Sequence, residues 1–220
     1  MPKSHDARDL LVPCVNYVRV PRLRPAFWIA KLGDGLERTI LDKCLNVRSV
    51  LGQFFVESKR RVYYRTDGGL YWKVFTDFPP AFKVGGKSGH STRETWFSLS
   101  DEEIISPVIS ALSSDVFWWW YTVTANCRHL NPYDVQNFPL PKSALVDQYL
   151  ASLGRQYLQD LARNSSMLVR LQKQTGRTET QSFKIQKSKP IIDEIDRALA
   201  KHYGFTDEEL DFIINYDIKW

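Results

Sequence analysis

Little in this 220-residue sequence is of the kind that usually carries out chemistry. It has only three cysteines, Cys14, Cys44 and Cys127, far apart in the chain. Their spacing suits no zinc site and an odd number closes no disulfide framework, so they read as reduced thiols of a cytoplasmic protein. The four histidines, His5, His90, His129 and His202, are scattered without ligand spacing. No basic-then-apolar leader opens the chain, because Ser4, His5, Asp6, Arg8 and Asp9 interrupt it. The longest strongly apolar stretch, residues 116–123, is far short of the ~20 residues a spanning helix needs. A soluble protein without a membrane partner is expected. Internal repeats and low-complexity tracts are lacking too, which sets aside solenoids and flexible linkers.

What is abundant is aromatic and basic. Seven Trp, ten Tyr and twelve Phe supply rigid apolar surface for a core, for stacking on bases or for contacts between domains. With 43% hydrophobic residues the chain can bury one generous domain or two small joined ones. A formal net charge of +5 favours a polyanionic partner without establishing one. That charge is concentrated: residues 59–93 hold eight Lys and Arg against two Asp, a larger excess than the whole chain carries.

Periodicity predicts an α+β fold, with a small β-rich portion followed by a mostly helical C-terminal third. Residues 12–20 alternate as a strand does and end at Pro21 and Pro25. Leu36, Ile40, Leu41, Cys44, Val47 and Leu51 recur at helical intervals, giving one amphipathic helix or two short ones over 36–55. Strands are expected at 61–65 (RVYYR), at 70–75 (LYWKVF) after a Gly68-Gly69 turn, and at 95–99 (TWFSL). Residues 82–94 (FKVGGKSGHSTRE) read as an exposed loop. Ser100 with Glu103 suits a capping box, and a second helical stretch follows over 107–124. Residues 128–141 (RHLNPYDVQNFPLP) read as loop with a short turn. Leucines then carry a helical pattern through 142–174, followed by a polar break with a short strand at 182–185. Pro190 opens a helix that Gly204 stops, and Thr206 with Glu209 caps a last one over 207–215.

Three apparent active sites dissolve on inspection of their spacing. Asn131-Pro132-Tyr133 resembles the Asn-Pro-Pro-Tyr signature of adenine methyltransferases, but one proline is missing, so the tight turn is not encoded. Gly85-Gly86-Lys87-Ser88-Gly89 lacks the first glycine of a phosphate loop and does not open a helix. Glu57-Ser58-Lys59 with Asp42 fits the acidic-x-Lys element of metal-dependent nucleases only loosely, since Asp42 falls inside a predicted helix. No catalytic constellation, cofactor site or metal site is expected in this chain.

Recognition chemistry remains. Lys83, Lys87, Ser88, His90, Ser91 and Arg93 share the glycine-rich segment and offer charge for phosphates and short donors for base edges. Lys59, Arg61, Arg65 and Lys73 lie nearby in sequence. Arg128, His129 and Asn131 form a second polar cluster, suited either to DNA contact or to capping the aromatic helix before it. In that helix Phe117, Trp118, Trp119, Trp120 and Tyr121 cannot all face one core, which leaves some of them for an interface.

These residues carry a resemblance. LYWKVFTDFP (70–79), ISALSSDVFWWWY (109–121), the 128–141 segment and the tail 190–220 resemble the C-terminal region of large N6-adenine DNA methyltransferases, including the fused restriction–modification enzymes of type IIG. The resemblance spans residue 61 to the end. It implies a target recognition domain of Taq-type specificity whose S-adenosylmethionine-binding methyltransferase domain lies outside this chain, in cis or as a subunit. Residues 83–93 then correspond to a variable loop that enters a DNA groove. On this basis 1–58 is a strand and helix segment linking to the methyltransferase domain, 59–141 the recognition core, and 142–220 a helical coupling region. Double-stranded DNA is the implied partner. Two alternatives stand beside it: a protein-docking module using the Trp-rich and C-terminal helices, and a divalent-metal nuclease using Asp42, Glu57 and Lys59.

Overall fold

A computed structural model describes residues 17–20, 22–23, 28–67, 74–173 and 176–216. The fold is α+β. Short antiparallel strands β1 (Arg22–Leu23) and β2 (Trp28–Ile29) precede helix α1 (Gly35–Asn46), which Asp34 caps by accepting from Glu37 N–H. The strand expected over 12–20 is not seen in its described part, since residues 17–20 have no regular structure. The helical pattern over 36–55 resolves into α1 and a single 3-10 turn at Leu51–Phe54.

Strands β3 (Arg61–Arg65) and β6 (Glu94–Ser98) pair antiparallel, with Tyr63 opposite Trp96. On the other edge of β3, Tyr63 exchanges two backbone hydrogen bonds with Thr76. The strand expected at 70–75 is corrected where it is described: Val74 and Phe75 are irregular, and Phe75 is wholly buried. Its remainder, with Lys73 and the Gly68-Gly69 turn, lies outside the described residues.

The segment 82–94 is not a plain loop. It forms a hairpin of β4 (Phe82–Val84) and β5 (Lys87–Ser88), turning on Gly85 and Gly86 with φ of 55° and 81°. Two successive left-handed residues make the turn that matches strand twist, and glycine adopts it without steric cost.

The helical body follows. The capping box expected at Ser100 does not form; Asp101 instead takes the Glu103 N–H, and α2 starts only at Ile105 (Ile105–Leu112). One stretch over 107–124 becomes two helices, because Ser114 caps α3 (Asp115–Thr124) by accepting from Phe117 N–H. After α4 (Pro132–Gln136), α5 (Lys142–Leu145) and α6 (Gln148–Arg163), the expected helical pattern to 174 is overturned. Asn164 closes α6, its N–H and side-chain amide both donating to Asp160 O, and the chain runs into β7 (Ser165–Gln172) and β8 (Gly176–Phe183). The tail follows expectation: α7 (Lys189–Tyr203) ends at Gly204 with φ 69°, and the Thr206–Glu209 box starts α8 (Asp207–Asn215).

Helix α3 is the centre of the core, packed among α2, α7 and α8. Phe117, Trp118, Trp119, Trp120 and Tyr121 are each at most 7% exposed. The expectation that part of this helix faces an absent neighbour is therefore corrected. The remaining sides are closed by Phe75 and Phe138, edge-on to Phe117, and by Glu37 of α1, which accepts from Trp119 Nε1 at 3.1 Å. Helices α2 and α6 meet at Gly154, where a Cβ would run into Ser106 O and would lie 2.7 Å from Ser110 Oγ. Among the described residues no helix is long and apolar enough to cross a membrane.

Candidate nucleic-acid interface

The pairing of β4 with β8 decides where the basic residues go. Phe82, Lys83 and Val84 oppose Thr180, Glu179 and Thr178, giving a four-stranded sheet in the order β5-β4-β8-β7. This sheet draws on residues from both sides of position 141. The β4–β5 hairpin is thus braced by a partner far along the chain. Lys87, Ser88 and His90 are exposed on it and Lys83 is half-buried. Ser91 is corrected as a contact residue: it is buried, its hydroxyl accepts from Arg93 N–H at 3.3 Å, and its carbonyl accepts from Glu94 N–H. It shapes the turn into β6.

A second group gathers where β3 ends and β6 begins. Arg65 opposes Glu94 in register, and Arg93 pairs with Asp67 at 3.5 Å. Leu130 N–H donates to Thr66 O at 2.9 Å, which holds the 128–131 segment beside this corner. The structure therefore brings Arg65, His90, Arg93, Arg128 and His129 into one neighbourhood that sequence order does not show. Burial pushes the Glu94 carboxyl above its usual range, against the pull of Arg65 and His90. Arg65 Nε and Glu94 Oε1 are enclosed without a hydrogen-bond partner, an unfavourable state.

Asn131 is committed elsewhere. Its backbone N–H and side-chain amide both donate to Asp134 Oδ2, at 2.8 and 3.1 Å, fastening the first turn of α4. Nor do Arg128 and His129 cap α3; Lys31 does so, donating to Ala125 O at 2.7 Å. Both side chains are exposed instead. Sequence reading missed Lys31 because 94 residues separate it from its acceptor.

At the far end of β3, about 13 Å away along the strand, Lys59, Arg60 and Arg61 line a hollow of about 570 Å³ with Asp77 and Glu102. The outward face between the two ends carries Arg61, Tyr63 and Arg65 on β3, and Glu94, Trp96 and Ser98 on β6. Trp96 is 51% exposed, and the Arg61 guanidinium lies 4.8 Å from the centre of its ring. Trp96 was legible only as part of a strand. The inward-facing Phe97 beside it was the signal that it points out.

The residues of the nuclease alternative, Asp42, Glu57 and Lys59, do not line one hollow. Asp42 is held by Arg38 within α1 at 2.8 Å, while Glu57 and Lys59 line different hollows. The acidic group with metal-like spacing among the described residues is Asp115, Asp193 and Asp196. Its charges are already met inside the helical body. Asp196 accepts from Asp115 N–H and Val116 N–H, both at 3.2 Å, and Lys189 bonds Asp115 at 3.1 Å and also Asp193. Burial pushes the Asp115 carboxyl up to about 6, and that of Asp196 rises too through burial and the neighbouring Asp115. We assign this trio to fixing the α3 N-terminus against α7. Comparison with protein-family models, with curated proteins and with solved structures finds no match for this chain.

Proposed function

We propose that this chain is the DNA target recognition module of an adenine-N6 DNA methyltransferase or restriction–modification enzyme whose catalytic domain lies elsewhere. The observation that carries the reading is the braced β4–β5 hairpin, with Lys87, Ser88 and His90 exposed around an ordered glycine turn. A recognition element must be positioned more tightly than a free loop allows, because misplacement by an ångström loses base-edge hydrogen bonds. The corner of Arg65, Arg93, Arg128 and His129 supplies a second cluster of donors. Lys59, Arg60 and Arg61 are the phosphate clamp, which fixes register without reading sequence. In this reading the partner is duplex DNA in the cytoplasm. S-adenosylmethionine and base flipping belong to the methyltransferase domain.

The test is a titration of labelled random-sequence duplex by fluorescence anisotropy at two salt concentrations, followed by selection of bound sequences. Salt-sensitive binding with an enriched motif is the expected result. Absence of binding at low salt would overturn the proposal. Within the selected site, Arg93→Ala relaxes preference at one position, whereas Lys59→Ala weakens all sequences alike.

A further inference from the structure

The hairpin of β7 and β8 has no counterpart in the sequence-based reading of the interface, yet the register puts it there. Its eight rungs run from Ser165–Phe183 to Gln172–Gly176. Because β4 lies antiparallel to β8, Gly85-Gly86 falls level with Arg177, whose carbonyl accepts from Gly85 N–H at 2.9 Å. The Gly85-Gly86 turn and the Gln172–Gly176 end of the β7–β8 pair therefore lie at the same end of one sheet. Lys83 and Lys87 flank the first, and Arg170, Lys173 and Arg177 lie at the second. The nearest carboxylate in this register, Glu179, is paired with Arg177 at 3.1 Å.

The β7–β8 ribbon also carries apolar side chains on both faces in the open. Met167 and Leu168 are each more than 40% exposed, as is Val169, and Leu171 is 85% exposed. On register, Leu171 and Arg177 are cross-strand neighbours on one face, and Arg170 lies on the other. Solvent does not favour such a surface, and a core does not cover it. Positive charge at the turn together with apolar contact along the strand matches the wall and floor of a DNA groove. The guanidinium suits guanine O6 and N7, and an aliphatic side chain suits the thymine methyl.

We propose that the β7–β8 ribbon is a second DNA-reading element, entering the major groove beside the β4–β5 hairpin. Arg177 and Leu171 face base edges, while Arg170 and Lys173 hold flanking phosphates. This rests on the DNA-binding reading above and extends it to residues of the C-terminal third.

The experiment compares the full chain with two variants, R170A/K173A/R177A in the ribbon and K83A/K87A in the first hairpin, on the selected duplex across a salt series. All three ribbon side chains are exposed, so circular dichroism and the thermal midpoint should match those of the parent protein. The expected result is at least a tenfold loss of affinity for the ribbon variant, with a salt slope shallower by about 2 to 3. A ribbon variant that binds with unchanged affinity and slope, while K83A/K87A loses binding, overturns the ribbon and leaves the DNA reading intact. A parent protein that binds no DNA removes both. Sedimentation supplies one further outcome: if Leu171→Asp turns a dimer into a monomer with DNA affinity unchanged, the ribbon is a self-association surface and the inference fails.

Discussion

Helix α3 and the turn-bearing end of the four-stranded sheet treat exposure in opposite ways. Around α3 the aromatic side chains from Phe117 to Tyr121 are enclosed, and the polar groups at its ends have dedicated partners: Ser114 and Asp196 at the start, Lys31 at the finish. At the sheet end, Lys87, Arg170, Lys173 and Arg177 are in solvent beside an uncovered Leu171. Aromatic content pointed to the helix as a possible interface, and it is the core. The region with fewer aromatic residues carries the exposed apolar and basic surface. Abundance of aromatic residues therefore says less about binding than whether their neighbours enclose them.

The largest test of this contrast is Trp119→Ala. It removes the largest wholly buried side chain among the described residues and strips Glu37 Oε1 of its donor, so a loss of about 4 kcal/mol is expected in urea unfolding. Trp119→Phe keeps most of the ring and should cost about 2 kcal/mol. A loss within the ±0.5 kcal/mol typical of surface positions would mean that α3 is not the core. Next comes Gly154→Ala, where the methyl group has no room between α6 and α2; a loss of about 2 kcal/mol is expected. The same change at Gly86 meets open space, and its strain comes from the backbone φ of 81° alone. It should cost about 1 kcal/mol and act mainly on the hairpin, with DNA affinity reporting it more sharply than global stability does.

The pH profile is a third test, and its signs can be worked out. Asp115 and Asp196 have raised carboxyl pKa values, so the folded state binds their protons more tightly than the unfolded chain does. Each contribution is full below the unfolded value; that of Asp115 is lost as pH rises through about 6, and that of Asp196 as pH rises through its own raised value. On the acid side, burial alone would raise Glu209 and Asp147. Hydrogen bonds outweigh it, from Lys43, Thr206 N–H and Thr39 in the first case and from His202, Leu150 N–H and Tyr149 N–H in the second, and both carboxyls are lowered. The stability these two provide is lost as pH falls through their folded values. A series of urea midpoints from acid to neutral pH should rise, then decline, with the Asp115 part of the decline complete by about 6. Asp115→Asn should remove most of the decline, and an unaltered decline would place its cause outside the trio.

How far all this was legible in the residues depends on whether a pattern had one side. Strand β3 was, because Val62 and Tyr64 face in while Arg61, Tyr63 and Arg65 face out. Helices α7 and α8 were, through Pro190, Gly204 and the Thr206–Glu209 box, each of which acts within a few residues. Strand β7 was not. Its Met167, Leu168, Val169 and Leu171 are exposed on both faces, so alternation is absent, and the leucine spacing simply continued the helix before it. The candidate site was half legible. That Lys87, Ser88, His90 and Arg93 are exposed could be read from composition, whereas Ser91 and Asn131 were misread because a short polar side chain serves a turn as readily as a ligand. Arg170 and Arg177 could not be found at all, since only the pairing of β4 with β8 carries them beside the β4–β5 hairpin.

Trp96 sits on the boundary between the two regimes, and its replacement shares with Gly86→Ala the smallest expected effect on stability. The ring is half exposed, touches Tyr63 across the strands at 6.3 Å and supports the Arg61 guanidinium. A cross-strand pair and a solvent-exposed cation–π contact are each worth about 0.5 kcal/mol, so Trp96→Ala should lower stability by about 1 kcal/mol. Its effect on DNA binding has a different form. The count of positive charges is unchanged, so the salt slope should stay that of the parent, while Arg61 loses the surface that holds it in place. A roughly threefold weakening on every sequence is expected, with Trp96→Phe recovering most of it. A stability loss above about 3 kcal/mol would instead assign Trp96 to the body of the protein. A changed base preference would make it a reader in its own right, and the division between an enclosed core and an exposed sheet end would then have to be drawn through β6.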